Sequence, residues 1–177
     1  MEFFKIIFLC VVASAIYGIV HDQFTARICL EYFPVFHPEI FPTDSPTLLA
    51  VGWGIVAIWW MGAFLGLLLA IAARAGPRPV LTVREIFPYI VRLLAVMAVC
   101  AGVSGLVGFS LAKRGVVSAP DFIVRIPSIN VSNFMADWFA HMASYASGFF
   151  GGLTVCVLVY RKRALLGRAV QREIVSA

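Results

Sequence analysis

Four apolar runs divide the chain, over residues 3–20, 48–73, 93–112 and 139–160. Each is close to the roughly 20 residues that a helix needs to cross a hydrocarbon core. The pattern predicts four spanning helices in a single transmembrane domain, residues 1–177. Loops 21–47 and 113–138 fall on one side, with loop 74–92 and tail 161–177 on the other. After Val20 the helical period continues, since Asp22, Gln23, Arg27 and Glu31 share one face and Phe24, Ile28 and Tyr32 another. The first helix is therefore expected to protrude past the bilayer.

Punctuation between the runs sets the element ends. Pro34, Pro38, Pro42 and Pro46 recur every fourth residue in "FPVFHPEIFPTDSPT". A proline in every turn removes a donor and pushes its predecessor to extended geometry, so a folded, aromatic-rich loop is expected in place of helix. Ser45-Pro46 has the form of a helix start, a hydroxyl cap followed by proline at the first position. "RAGPRP" ends the second span. Thr82-Val83-Arg84-Glu85 has capping-box spacing, predicting a third helix that starts before the membrane and bends near Pro88. Ser132 or Asn133 is the expected cap of the last helix.

Composition agrees with the pattern. Hydrophobic residues make up 62% of the chain and charged residues 13%, with a mean hydropathy of +0.95, outside the soluble range. The net charge of +5 is unevenly placed. Lys5, Arg74, Arg78, Arg84, Arg92, Arg161, Lys162, Arg163, Arg168 and Arg172 lie on one side of a four-span topology, against Arg27, Lys113, Arg114 and Arg125 on the other. The positive-inside rule then makes both termini and the middle loop cytoplasmic. These bases flank spans without interleaved stacking aromatics, which argues for anionic lipid head groups and against nucleic acid as their partner.

Cys10, Cys100 and Cys156 lie within spans and Cys29 stands alone in the first outer loop, so no disulfide framework or CxxC pair exists. Ala13-Ser14-Ala15 has the look of a signal cleavage site, but one acid and one base precede it and the apolar run continues beyond it, so the first span is read as retained. Asn130-Val131-Ser132 matches a glycosylation acceptor whose use needs a eukaryotic secretory route, and whether Asn130 is ever modified is left open. Small residues recur four apart in every span: Ser14 and Gly18, Gly62 and Gly66, Ser104 and Gly108, and Ser144, Gly148 and Gly152. Such faces let helix backbones approach closely within the bundle, or between two copies, where Gly148 and Gly152 are the candidates. Trp59 and Trp60, near mid-span, are expected to pack against glycines of another helix.

The chemistry sits at the outer ends of the first and last spans. His21 and Asp22 end the first, and Asp137 and His141, four apart on one face, begin the last with Tyr145 a turn deeper. If those helices are neighbours, the four residues converge, and Glu31, His37 or Glu39 can add a ligand from the loop above. Imidazole with carboxylate suits a transition metal such as zinc, iron, copper or manganese. His21, Asp22, Glu31, Asp137 and His141 form the candidate metal set, although no fixed ligand motif such as HExxH is present. Proton or ion transport is a rival reading, weakened because no charged residue lies in the middle of a span. A third is that the acids cap helices and dock the acidic first loop on Lys113, Arg114 and Arg125, leaving an accessory or assembly subunit of a larger membrane complex without chemistry of its own. No nucleophile elbow, phosphate-binding loop or haem motif occurs, and enzyme activity is left undecided.

The segment "YGIVHDQFTARICLEYFPVFHP" with "SPTLLAVGWG", residues 17–54, resembles an uncharacterised family of small bacterial four-span inner-membrane proteins, through His21-Asp22-Gln23, Thr25, Glu31-Tyr32-Phe33 and His37-Pro38. The resemblance implies the topology and an inner-membrane location, and no activity. The expected fold is all-α, a membrane four-helix bundle with a proline-rich outer loop.

Overall fold

The computed structural model describes residues 1–124 and 129–176, and Arg125 lies outside them. Seven helices and no strand are found among these residues: α1 (Glu2–Ile28), α2 (Tyr32–Phe36), α3 (Pro46–Val56), α4 (Trp59–Arg74), α5 (Val83–Lys113), α6 (Asp121–Val124) and α7 (Val131–Ser176). α1, α5, α7 and the α3–α4 pair are long and apolar enough to cross a membrane. The protein is an all-α bundle with four candidate spans. Much of its apolar surface faces outward, including Phe4, Phe8, Phe24, Val99, Leu106 and Phe150, as expected of helices solvated by lipid.

Two helix pairs make the bundle. α1 lies along α3 and α4, α5 lies along α7, and α4 packing on α7 joins the pairs. Glycine sets the first interface. A Cβ on Gly18 would collide with the Gly54 carbonyl oxygen, and one on Gly54 with the Ile19 amide, so the two backbones touch directly. Farther along, Gly62 meets Ser14 and Cys10, and Gly66 meets Cys10 and Ile7. In the second half Gly105 and Gly108 face the Ala136 and Met135 carbonyls, while Gly148 receives Met97 and Gly152 receives Leu65. The glycine faces, Gly148 and Gly152 included, are thus occupied from within the chain.

The helix ends follow local chemistry, with exceptions. Ser45 Oγ accepts the Leu48 amide at 3.5 Å, and Glu85 Oε2 accepts from the Thr82 amide at 2.9 Å. The last helix is capped by Asn130, whose Oδ1 accepts the Asn133 amide at 3.1 Å, and not by Ser132 or Asn133. Asn133 instead donates to the Ile28 carbonyl at 2.9 Å, tying α7 to the end of α1. Two further expectations are corrected. Pro34 sits inside α2, since a single turn tolerates proline in its first positions. The second span is broken at Ala57 and Ile58, where the Trp60 indole donates to the freed Ala57 carbonyl at 2.8 Å. Trp59 and Trp60 are half exposed on the apolar surface, and no tryptophan is among the atoms nearest a Cβ added at any glycine.

At the end bearing both termini, Arg163 of α7 is fully buried. Its Nε donates to the Pro79 carbonyl at 2.7 Å, Nη1 to Ala72 and Ala75 at 2.8 and 2.9 Å, and Nη2 to Arg78 at 3.0 Å. These are carbonyls at or just beyond the C-terminal end of α4, which a helix leaves without internal partners and where its dipole favours a cation. A basic residue read as a membrane-flanking charge is therefore an internal staple.

Candidate functional site

At the opposite end, α1 carries His21, Asp22 and Thr25 on the side facing α7, while α7 carries Asp137, His141, Ser144 and Tyr145. His141 Nε2 lies 3.5 Å from Asp22 Oδ1. The His21 and His141 rings meet edge to face with centroids 4.7 Å apart. One ligand atom from each of His21, Asp22 and His141 lies within 4.8 Å of the others. Asp22 and His141 are buried, 7% and 3% exposed, so the cluster sits where water screens little.

Aromatic rings hold the imidazoles. Tyr32 of α2 stacks on His141 at 4.4 Å and 20°, and Tyr17 stacks beneath His21 at 5.8 Å and 18°. The Tyr17 and Ser144 hydroxyls bond at 2.8 Å, fixing α1 against α7 one turn below the cluster. The proline-rich segment is thus a lid whose Tyr32 covers the site, and burial pushes the Tyr32 phenol up, keeping it neutral.

Hydrogen bonding fixes how His141 is turned. Its Nδ1 lies 2.8 Å from the Asp137 main-chain carbonyl. A carbonyl only accepts, so Nδ1 donates there and Nε2 is the nitrogen that faces the Asp22 carboxylate. Two electron-rich atoms at that separation repel unless a cation, either a proton or a metal ion, lies between them. His21 Nε2 is also buried and finds no hydrogen-bond partner among the described residues.

The other expected ligands lie elsewhere. α1 ends at Ile28 and Cys29 is extended, with φ −149° and ψ 97°, so the helical face that would have carried Glu31 to the site stops short. Glu31 instead accepts a weak bond from the Cys29 thiol at 3.5 Å. Asp137 is fully buried, yet its carboxylate is not part of the cluster, and neither oxygen has a partner among the described residues. What Asp137 supplies to His141 is its main-chain carbonyl. The Cys29 thiol, inside this same wall, is pushed up to about 12 by burial, with Asp137 and Glu31 adding to the effect, and is held as an unreactive thiol.

Arg27 does not pair with Glu31 either. It donates from Nη1 to the Gln23 carbonyl and Oε1 at 2.6 and 2.7 Å, and from Nη2 to Thr47 Oγ1 at 2.7 Å. Among the described residues no ion pair joins the two outer loops. The lid rests on rings, with His37 against Trp53 at 4.2 Å and Phe36 against Trp138 at 5.4 Å.

His37 makes the lid sensitive to pH. Its burial lowers the imidazole from the ordinary 6.5, opposed by a bond to the Phe33 carbonyl and by Asp22. A histidine lowered in the folded state contributes stability that is present above pH 6.5 and lost as pH falls below it, because the open lid binds the proton better. Hydrogen exchange across residues 29–45 is expected to speed up between pH 7 and pH 5 in the native chain, and much less in His37→Gln. Equal pH dependence in both would remove His37 from that role.

No family model matches the chain, and no curated protein or solved structure is significantly similar to it.

Proposed function

We propose that this multi-pass membrane protein binds a divalent transition-metal ion between His21, Asp22 and His141, at an outward-facing site under an aromatic lid. The observation that carries the reading is the Nε2 of His141 turned to the Asp22 carboxylate, beside a second imidazole whose Nε2 is buried and, among the described residues, unpartnered. A tetrahedral zinc with bonds of 2.0–2.2 Å sets its ligand atoms about 3.3 Å apart. The His141–Asp22 separation is close to that, and His21 offers a third ligand atom within 4.8 Å. A carbonyl on the far nitrogen of a ligating histidine is the usual outer partner, fixing its tautomer and ring plane. Three protein ligands leave a fourth position for water or a substrate group, the pattern of sites that do chemistry or pass metal on. In this reading the membrane is a bacterial inner membrane, with both termini cytoplasmic, following the charge bias of the loops.

The test is metal stoichiometry by mass spectrometry of the detergent-purified chain, beside His21→Ala and His141→Ala, each checked for helicity. About one equivalent is expected in the native protein after zinc or manganese loading and dialysis. Removing a direct ligand should weaken affinity more than 100-fold, beyond the 10–100-fold typical of outer partners. A native protein that retains no metal overturns the proposal and leaves a proton between Asp22 and His141. Metal retained by both variants overturns this ligand set.

A further inference from the structure

We infer that the end of the bundle carrying the termini holds a built site for the phosphate of an anionic phospholipid, with Arg78 as its reader. Three guanidiniums, Arg74, Arg78 and Arg163, belong to the place where α4, the 75–82 turn and α7 meet, and burial first, then the charges of Arg78 and Arg74, disfavour the charge of Arg163. The contacts that hold them are neutral. Arg163 is spent on four carbonyls, and Arg74 Nη1 donates to the Leu81 carbonyl at 2.9 Å. Arg78 lies over the Tyr160 ring, its guanidinium carbon 4.3 Å from the centroid. Its Nη1 is buried with no acceptor among the described residues.

The nearby carboxylates have other partners. Glu2, which Arg74 also attracts, accepts from Lys5 at 2.7 Å and from the Val83 amide at 3.3 Å. Glu85 serves the Thr82 cap and lies 3.7 Å from Lys162. Among the described residues, the carboxylates paired with or attracted by Arg74, Arg78, Arg163, Lys5 and Lys162 are Glu2 and Glu85, an excess of three positive charges by formal count of the named groups. Arg78 is half-buried, and among the described residues no carboxylate pairs with it, so its charge is left to an acceptor from outside the chain.

Position selects the anion. Val157 and Tyr160, 56% and 49% exposed, place lipid-facing apolar surface within a turn of Arg78. Basic pockets at the edge of the hydrocarbon layer take lipid head groups, and guanidinium matches a phosphate with two parallel donors. The inference stands apart from the metal reading and involves none of its residues.

The experiment uses the full chain in detergent, following the thermal midpoint as phosphatidylglycerol or phosphatidylcholine is added, with native mass spectrometry counting retained lipids. Phosphatidylglycerol is expected to raise the midpoint by about 5 °C over phosphatidylcholine and to survive as one retained lipid. Arg78→Gln should lose more than half of that rise and the retained lipid. Arg78→Lys, which keeps a charge and folds more safely, should keep part of the rise. Arg161→Gln, which removes an exposed charge one residue from Tyr160, should keep it all. Equal effects of the two lipids, or of Arg78→Gln and Arg161→Gln, would overturn the site in favour of diffuse surface charge. Reproduction of the full rise by inorganic phosphate would assign it to free anions and not to lipid.

Discussion

Arg163→Met is expected to lower the stability of the bundle by about 4 kcal/mol, seen as a fall of about 10 °C in the thermal midpoint of the detergent-solubilised protein. Methionine nearly fills the volume but leaves the Ala72, Ala75, Arg78 and Pro79 carbonyls without the donors they have in the native chain. A buried acceptor stripped of its partner costs about 1–3 kcal/mol, and water entering at the bundle end recovers part of the sum of four. Arg163→Lys should fall between, because one ammonium cannot reach carbonyls that the planar guanidinium meets from three nitrogens. A midpoint for Arg163→Met within about 2 °C of the native value would show that the carbonyls were satisfied in other ways.

Gly54→Val is expected to cost more than about 3 kcal/mol, at or beyond the usual range for overpacked cores. An added Cβ there meets the Ile19 amide, the Gly18 carbonyl carbon at 2.6 Å and the Ile19 Cα at 2.6 Å. These are backbone atoms of a neighbouring helix, which cannot rotate aside as a leucine tip would. The control is Gly102, where an added Cβ has nothing within 4 Å. Gly102→Ala should be neutral or stabilising by about 1 kcal/mol through helix propensity alone. Similar unfolding midpoints for Gly54→Val and Gly102→Ala would mean that α1 and α3 do not cross on bare backbone. Gly18→Val provides the reciprocal check, since its Cβ strikes the Gly54 carbonyl.

The membrane architecture was legible because hydropathy over some twenty residues is a sum, insensitive to any one position. Element ends with a local cause, such as Ser45-Pro46 and Thr82 with Glu85, were legible for the same residues that build them. The break at Ala57 and Ile58 was not, because neither residue is a helix breaker and the freed carbonyl is satisfied by a tryptophan three residues on. Arg163 was hidden in a run of three bases, Arg161, Lys162 and Arg163. The position of the 75–82 turn separates the buried member from exposed Arg161 and half-buried Lys162.

For the candidate site, the convergence of His21, Asp22 and His141 could be anticipated from their common depth at the outer span ends. The roles of Asp137 and Glu31 could not. Spacing of four correctly put Asp137 and His141 on one face, but the same spacing lets the carbonyl of 137 reach the imidazole, which is what happens. Glu31 was offered as a ligand from the loop above, but how that loop folds back, with Glu31 turned to the Cys29 thiol, depends on long-range packing. The lid stacking of Tyr32 on His141 depends on how the proline-rich segment folds back, a long-range fact that no local pattern encodes.

The staple also imposes an order on biosynthesis. Arg163 binds carbonyls that precede it by 84 to 91 residues, so as the chain emerges, α4 and its turn enter the bilayer long before their donor exists. Until then α1 holds α3 through the bare-backbone crossing at Gly18 and Gly54, and α4 through the contacts of Gly62 and Gly66. α7 therefore latches spans made before it, and a ribosome that stalls before residue 163 leaves the C-terminal end of α4 and the 75–82 turn without their donor.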